Sequence, residues 1–256
     1  MDKGRTFSRA EYHPTPLLCK MSYRHLFFDL DHTLWDFEAN SRQTLQHLYT
    51  SLQLESRGID DFNRFHQQYL AHNERLWDRY RKGFIKQEEL RVKRMWLSLL
   101  DFKITDETLA KTLSIQFLEL LPTRNQLFPH TREILEYLQE KNYQLHLITN
   151  GFEEIQHHKL RAADLTPFFQ QVITSEKANA LKPHRAIFEH ACTASGAELA
   201  ESIMIGDSLE VDIKGAYNAG MDQIHVNHLD QNTYPLEGNI YPTHTIFGLN
   251  ELKEIF

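Results

Sequence analysis

The chain has 256 residues, 41% of them hydrophobic and 25% charged, with a formal net charge of −7, a composition that suits a soluble globular protein with a substantial core. The acidic balance argues against a nucleic-acid polymer as partner, which calls for a basic face, and no apolar run reaches the length of a membrane span. Cys19 and Cys192 show neither metal-ligand spacing nor a disulfide framework, so a reducing cytoplasm is the expected location, with a monomer or homodimer as the expected assembly.

Residues 1–20 mix charges, Ser and two prolines, Pro14 and Pro16, without periodicity, the pattern of a disordered arm, and they lack the apolar centre of a secretory signal. Met21 is an alternative start just before the first strand. That strand is the apolar run Leu26-Phe27-Phe28, which ends abruptly in Asp29-Leu30-Asp31-His32-Thr33. Side chains two positions apart on an extended segment share a side, so Asp29 and Asp31 are expected in one small volume. Two buried carboxylates need a cation or a shared proton. At the carboxyl end of a strand in an open α/β sheet, one can act as nucleophile and the other as acid/base beside a hard cation. The plain alternative is a turn or helix cap.

About 100 residues with almost no Gly or Pro follow, which is a helical signature. Leu45, Leu48 and Leu52 keep helical spacing, as do Phe62, Phe65, Tyr69, Leu76 and Tyr80, then Leu90, Met95, Leu97 and Leu99, then Leu109, Leu113, Phe117 and Leu120. Residues 37–120 are therefore expected to form an all-helical insertion of four or more helices, a cap. From Leu127 helices and strands alternate. Helices are predicted over Thr131–Lys141, Glu153–Ala163, Pro183–Ser195, with Pro183 in its first turn, and Val211–Ala219, stopped by Gly220. Strands are predicted over Gln144–Thr149, Gln171–Thr174, Ser202–Gly206, Gln223–Asn227 and about Thr243–Phe247, with a last helix running to Phe256. This predicts an α/β fold: a Rossmann-like parallel sheet with helices on both faces, formed by 21–36 and 121–256, plus the inserted cap. A cleft between the two is where a small molecule is expected.

Three more strand ends carry chemistry. Thr149-Asn150-Gly151 offers a hydroxyl, a carboxamide and backbone N–H groups at a helix start, suited to an anion such as phosphate; Asn-Gly is also a turn signal. Lys182, before Pro183, is placed to reach inward and neutralise phosphoryl oxygens and a nucleophilic carboxylate. Gly206-Asp207-Ser208 ends another strand, with Asp212 one turn on. Magnesium takes oxygen ligands and keeps several waters, which makes Asp207 the candidate ligand beside Asp29; Asp212 either ligates through water or orients Lys182. Fifteen histidines show no zinc-ligand spacing with a third ligand.

The order Asp29-x-Asp31-x-Thr33, Thr149-Asn150, Lys182, Gly206-Asp207 and Asp212 resembles the four-motif signature of the haloacid dehalogenase-like hydrolase superfamily, from Met21 to Phe256. The insertion resembles that superfamily's helical cap of the first type. The resemblance implies that Asp29 forms an aspartyl-phosphate and that Asp31 is the general acid/base and lends its backbone carbonyl to Mg2+. It implies further that Thr149 and Lys182 bind phosphate and that Asp207 completes the metal site. Leu30, Asn150 and Gly151 are the expected backbone phosphate contacts, with Asp212, Ser208 and Glu176 in support. Dehalogenases of the superfamily lack the second aspartate, so Asp31 favours a phosphatase. His32 stands where many members carry Gly.

Ile148-Thr149-Asn150-Gly151-Phe152, Ser175-Glu176, Lys182-Pro183 with Ile187-Phe188, and Gly206-Asp207-Ser208 resemble the pyrimidine 5'-nucleotidase branch. The implied partner is a small phosphorylated metabolite, a nucleoside monophosphate. Trp35, Phe37, Trp77, Tyr80, Phe84 and Trp96 are candidates to stack on its base, although helix packing is the better account of most of them, and Phe152, next to the phosphate loop, is a candidate to line the pocket. The alternatives are a phosphatase of a small sugar or glycolate phosphate, a phosphomutase, and a non-catalytic binding module. The last would follow if Asp29, Asp31, Lys182 or Asp207 were missing; all four are present.

Overall fold

The computed structural model describes residues 23–228 and 240–256; the N-terminal arm and the Met21 start lie outside the described residues. Six parallel strands form one sheet: β1 (His25–Phe28), β2 (Gln144–Thr149), β3 (Gln171–Thr174), β4 (Ser202–Gly206), β5 (Asp222–Val226) and β6 (His244–Ile246), in the order β3-β2-β1-β4-β5-β6. Chain order reverses direction between β1 and β4, so the crevice outside their carboxyl ends is the topological switch point, where such sheets bind ligands. Asp29 and Asp207 follow those two strands directly.

Every residue of β1 is buried, as a central strand covered on both faces requires. Leu26 and Phe28 pack with Ile134, Leu135 and Leu138 of α5 (Thr131–Glu140) and Leu160 of α6 (Glu153–Ala162). Phe27 points to the other face, where Ile187 and Phe188 of α8 (Arg185–Ser195) and Ala216 of α9 (Lys214–Ala219) lie. The strand period of two thus divides the core into two layers.

Between β1 and α5 stand α1 (Phe37–Ser51), α2 (Phe62–Arg81), α3 (Gln87–Leu100) and α4 (Glu107–Leu120). Asp36, Asp61 and Asp106 start three of them, each side chain accepting a backbone N–H three residues on, at 2.8, 3.1 and 2.9 Å; such a cap contributes about 1 kcal/mol. Leu45, Tyr69, Leu99 and Phe117 of these helices belong to the same apolar cluster as Leu26 and Phe28, so the insertion is welded to the sheet.

Two helix starts differ from the sequence reading. The eighth helix begins at Arg185, not at Pro183. Lys182 is fixed before it, its N–H donating to Asn150 Oδ1 at 2.7 Å and its carbonyl accepting from Asn150 Nδ2 at 2.9 Å, and His184 N–H then closes a turn on Leu181 O at 2.8 Å. The segment expected as a helix from Val211 opens instead with a wider turn over Leu209–Ile213, and α-helix begins at Lys214. The physical cause is Asp212, whose carboxylate turns back to the Ser208 N–H at 3.1 Å. A four-residue helix, α7 (Ser175–Ala178), follows β3, and α10 (Leu252–Ile255) ends the chain.

Candidate active site

Asp29 extends the ladder one residue past β1, its N–H donating to Ile205 O of β4 at 2.9 Å, which fixes the carboxylate at the switch point. Lys182 reaches it from the segment clamped by Asn150. Its Nζ, on a side chain 2% exposed, lies 2.5 Å from Asp29 Oδ1 and 2.7 Å from Asp212 Oδ1; the latter is an ion pair off the line of a hydrogen bond. Asp207 is held on the other side by Thr33, whose Oγ1 donates to Asp207 Oδ1 at 3.0 Å. Gly206 is required here by close approach: a Cβ at that position would lie 2.5 Å from Asp212 Cγ.

Carboxylate oxygens of Asp29, Asp207 and Asp212 all lie within 4.8 Å of one another. Burial drives Asp29 well above the ordinary carboxylate range; Lys182 pulls it down, and the charges of Asp212 and Asp207 push it further up. Burial and the Asp212 charge raise Asp207 likewise, against the Thr33 hydrogen bond. Burial opposes the charge on Lys182, but Asp212 and Asp29 outweigh it and hold its pKa above the ordinary value. One ammonium among three carboxylates leaves negative charge uncompensated, and all the donors are hard oxygens. That set fits Mg2+.

Asp31 is not in this group. Burial would raise its pKa, but the Lys159 ammonium, 2.5 Å from Asp31 Oδ1, and Gln156 Nε2, which donates to Asp31 Oδ2 at 2.8 Å, hold it below the ordinary range. The Asp31 side chain thus turns to a buried cation. Lys159 lies over the Trp35 ring at 4.3 Å, and burial lowers its own pKa. Neither Lys159 nor Gln156 was expected at the site. The available signal was their spacing, Gln156 and Lys159 three apart on the helix that follows Thr149-Asn150-Gly151, which puts both on one face.

The Thr149-Asn150-Gly151 turn is built differently from the expected anion loop. Asn150 spends its carboxamide on Lys182, and the Gly151 N–H donates to Thr149 Oγ1 at 3.1 Å. Thr149 Oγ1 also accepts from Gln156 Nε2 at 3.0 Å, which leaves its hydroxyl proton to give. Leu30 buries its side chain, and its carbonyl accepts the N–H groups of Leu34 and Trp35. Ser208 caps the turn that carries Asp212, its Oγ accepting from Val211 N–H at 3.3 Å. Glu176 is exposed and stands apart from the metal-ligand group: it accepts from Gln87 Nε2 of α3 at 2.9 Å, tying the sheet domain to the insertion. His32 has φ +66°, the left-handed conformation that glycine adopts most readily.

A cavity of about 960 Å³ opens between these strand ends and the insertion, at the upper end of small-molecule sites, about 300–1,000 Å³. Of the aromatic candidates, Phe37, Trp77 and Phe152 line it. Trp77 stacks on Phe152 at 5.5 Å. Tyr80 packs on Trp77, Trp35 is wholly buried, Trp96 packs against the main core, and Phe84 is exposed. Trp35 and Trp96 are therefore taken up by core packing.

The sequence profile of the haloacid dehalogenase-like hydrolases matches residues 23–220. The pyrimidine 5'-nucleotidase PynA of Streptococcus pneumoniae is 32% identical over 91% of this chain and 95% of its own. The pyrimidine 5'-nucleotidase YjjG of Escherichia coli is 29% identical over 92% and 98%. The crystal structure of YfnB from Bacillus subtilis, bound to magnesium, superimposes with a TM-score of 0.80 at 29% identity, covering 91% of this chain and 98% of that one. A sequence profile spanning both sheet and insertion, and relatives aligned nearly end to end, make this chain a member of the haloacid dehalogenase-like hydrolase family.

Proposed function

We propose that the protein is a magnesium-dependent phosphatase that hydrolyses a phosphate monoester, with a nucleoside 5'-monophosphate, a pyrimidine one first, as substrate. The observation that carries the chemistry is Asp29, clamped by Lys182 within the Asp29, Asp207 and Asp212 cluster at the switch point. The nucleotide preference is supported by the two relatives named for pyrimidine nucleotides, whose similarity includes the insertion. A glyceraldehyde 3-phosphate phosphatase of Methanothermobacter thermautotrophicus is 36% identical over only 50% of this chain; it favours a small sugar phosphate as the second reading.

Asp29 and Asp207, with the Asp31 backbone carbonyl, would hold Mg2+, which supplies charge neutralisation for the phosphoryl oxygens. Asp29 Oδ attacks phosphorus, the bond from phosphorus to the ester oxygen breaks, and the phosphoryl group passes to Asp29. Lys182 and the Thr149 hydroxyl hold the transferring oxygens. Asp31 delivers the proton that the leaving oxygen needs, drawing it from Lys159, whose burial makes it a better acid than an exposed lysine. Water then attacks phosphorus, Asp31 takes its proton and returns it to Lys159, and Asp29 is regenerated with release of inorganic phosphate. The helical insertion closes the cavity against bulk water.

The test is inorganic phosphate release with Mg2+ across nucleoside monophosphates, sugar phosphates and phosphoglycolate, with Asp29→Asn as blank. Preference for UMP, dUMP or dTMP supports the nucleotidase reading. Preference for a sugar or glycolate phosphate keeps the chemistry and replaces the substrate. No release above the blank overturns the phosphatase.

A further inference from the structure

Arg94 of α3 lines the cavity with only 3% of its surface exposed. Its Nη1 donates to Asn73 Oδ1 at 2.9 Å, and its Nε is buried without a hydrogen-bond partner. The guanidinium lies 5.1 Å from the Phe117 ring centre and 5.9 Å from that of Tyr69. Among the described residues no carboxylate pairs with it; the ion pairs that line the cavity belong to Lys159 and Lys182.

An arginine cannot shed its proton, so a buried guanidinium without a counter-ion is costly, and two aromatic faces offset that only in part. Lys159, a second buried cation, is close enough for the Arg94 charge to lower its pKa. The two buried cations, Arg94 and Lys159, therefore share one paired carboxylate, Asp31, while Glu74, which also lines the cavity, is exposed. Asn73, itself buried, has its carbonyl oxygen occupied by Arg94, so its free hydrogen-bonding group is the amide donor. Arg94 and Asn73 together present N–H groups to the cavity and no free acceptor of their own.

We propose that Arg94 and Asn73 form a donor-only subsite in the helical insertion, which binds a hydrogen-bond acceptor on the leaving alcohol: a ring carbonyl oxygen of an oxopyrimidine, or the carboxylate of a small acid phosphate. The subsite rests on the phosphatase reading. It belongs to the leaving group because the wall adjoins Asp31 and Lys159, which deliver the proton to the leaving oxygen, whereas Lys182 and Thr149 hold the phosphoryl group. The acceptor gives the buried guanidinium a hydrogen-bond partner that the chain alone does not supply, and the carboxylate would balance its charge as well.

The experiment measures kcat/KM for UMP, phosphoglycolate and phenyl phosphate, which has no distal acceptor, in the wild type, Arg94→Met, Arg94→Lys and Asn73→Leu. The expected result is a fall of about tenfold or more in the ratio of one acceptor-bearing substrate to phenyl phosphate in Arg94→Met. Arg94→Lys recovers part of the ratio and Asn73→Leu lowers it. A fall confined to UMP identifies the ring carbonyl, and one confined to phosphoglycolate the carboxylate. An equal fall for all three esters, or an unchanged ratio, overturns the subsite and leaves Arg94 a packing role. If Arg94→Met does not fold, Arg94→Lys and Asn73→Leu carry the same ratio. No phosphate release from any ester by the wild type overturns the phosphatase reading, and the subsite with it.

Discussion

At the scale of single residues, two buried lysines pair with three of the site's four carboxylates, and Thr33 holds the fourth, Asp207. Lys182 binds the nucleophile candidate and Asp212; Lys159 binds Asp31. Removing one partner of a buried pair strands the other charge, and because the Asp31 side chain keeps 25% of its surface exposed, Lys159→Met is expected to cost about 2–3 kcal/mol at neutral pH. The sign follows from the shift. Asp31 has a folded-state pKa below its unfolded one, so its contribution is present above the unfolded value and is lost as pH falls through the folded value. The stability gap between wild type and variant in urea unfolding is full at pH 7 and narrows below about pH 4. Asp29→Asn, which removes the proposed nucleophile, is expected to lower phosphate release about a thousandfold or more, measured against the wild type at saturating Mg2+. Asp29, Asp31, Lys182 and Asp207 were legible in the sequence because each ends or follows a conspicuous apolar strand or precedes a proline. Lys159 and Gln156 were not. A helix that carries Glu153, Glu154, His157, His158 and Arg161 around them reads as a polar surface, and only the tertiary fold shows which face is buried.

Elements whose boundaries are set by local chemistry could be read from the chain, and those set by distant partners could not. β2 and β4 fall where the apolar runs place them, and the aspartate-capped starts of α1, α2 and α4 are local too. The start of α8 depends on Asn150 gripping Lys182 across 32 residues, and the wide turn before α9 carries an Asp212 that is held by Lys182 as well as by nearby Ser208; neither long-range contact falls within a window of sequence. The β4–α9 connection makes this dependence testable at Gly206. An alanine Cβ there meets Asp212 Cγ and Oδ2 at 2.5 Å, and Asp212 has nowhere to go without leaving Lys182. Overpacking of this kind costs about 1–3 kcal/mol, which in a chain of this size lowers Tm by roughly 2–4 °C per kcal/mol. Gly206→Ala is expected to show that drop in a thermal melt. Phosphate release is expected to fall about tenfold or more as well, because the displaced carboxylate no longer aims the Lys182 ammonium.

For the whole molecule, the decisive property is a charge imbalance at the switch point, set against a net charge of −7 that repels anionic substrates. The helical insertion was legible as a long stretch nearly free of Gly and Pro, whereas the faces it turns to the cavity were not; Arg94 sits among the apolar positions Leu90, Met95 and Leu99 of the same helix. On the opposite wall, Asp29 and Asp207 have folded-state pKa values raised above the ordinary carboxylate value by burial and by each other's neighbours. A raised acid favours folding below its unfolded pKa and loses that contribution as pH rises through the folded value. The metal-free protein is therefore expected to lose stability from about pH 4 up through neutrality, an effect that wild-type melts in EDTA at pH 6 and pH 8 would show as a lower Tm at pH 8. A cation bound by these carboxylates displaces their protons, so Mg2+ binds more tightly at the higher pH. At a concentration of 100 Kd, binding adds about 2.7 kcal/mol, or roughly 5–10 °C in a chain of this size. The Mg2+-induced rise in Tm is expected to be larger at pH 8 than at pH 6 and to vanish in Asp207→Asn. An equal rise at both pH values, or one that survives Asp207→Asn, would place the cation elsewhere in the molecule.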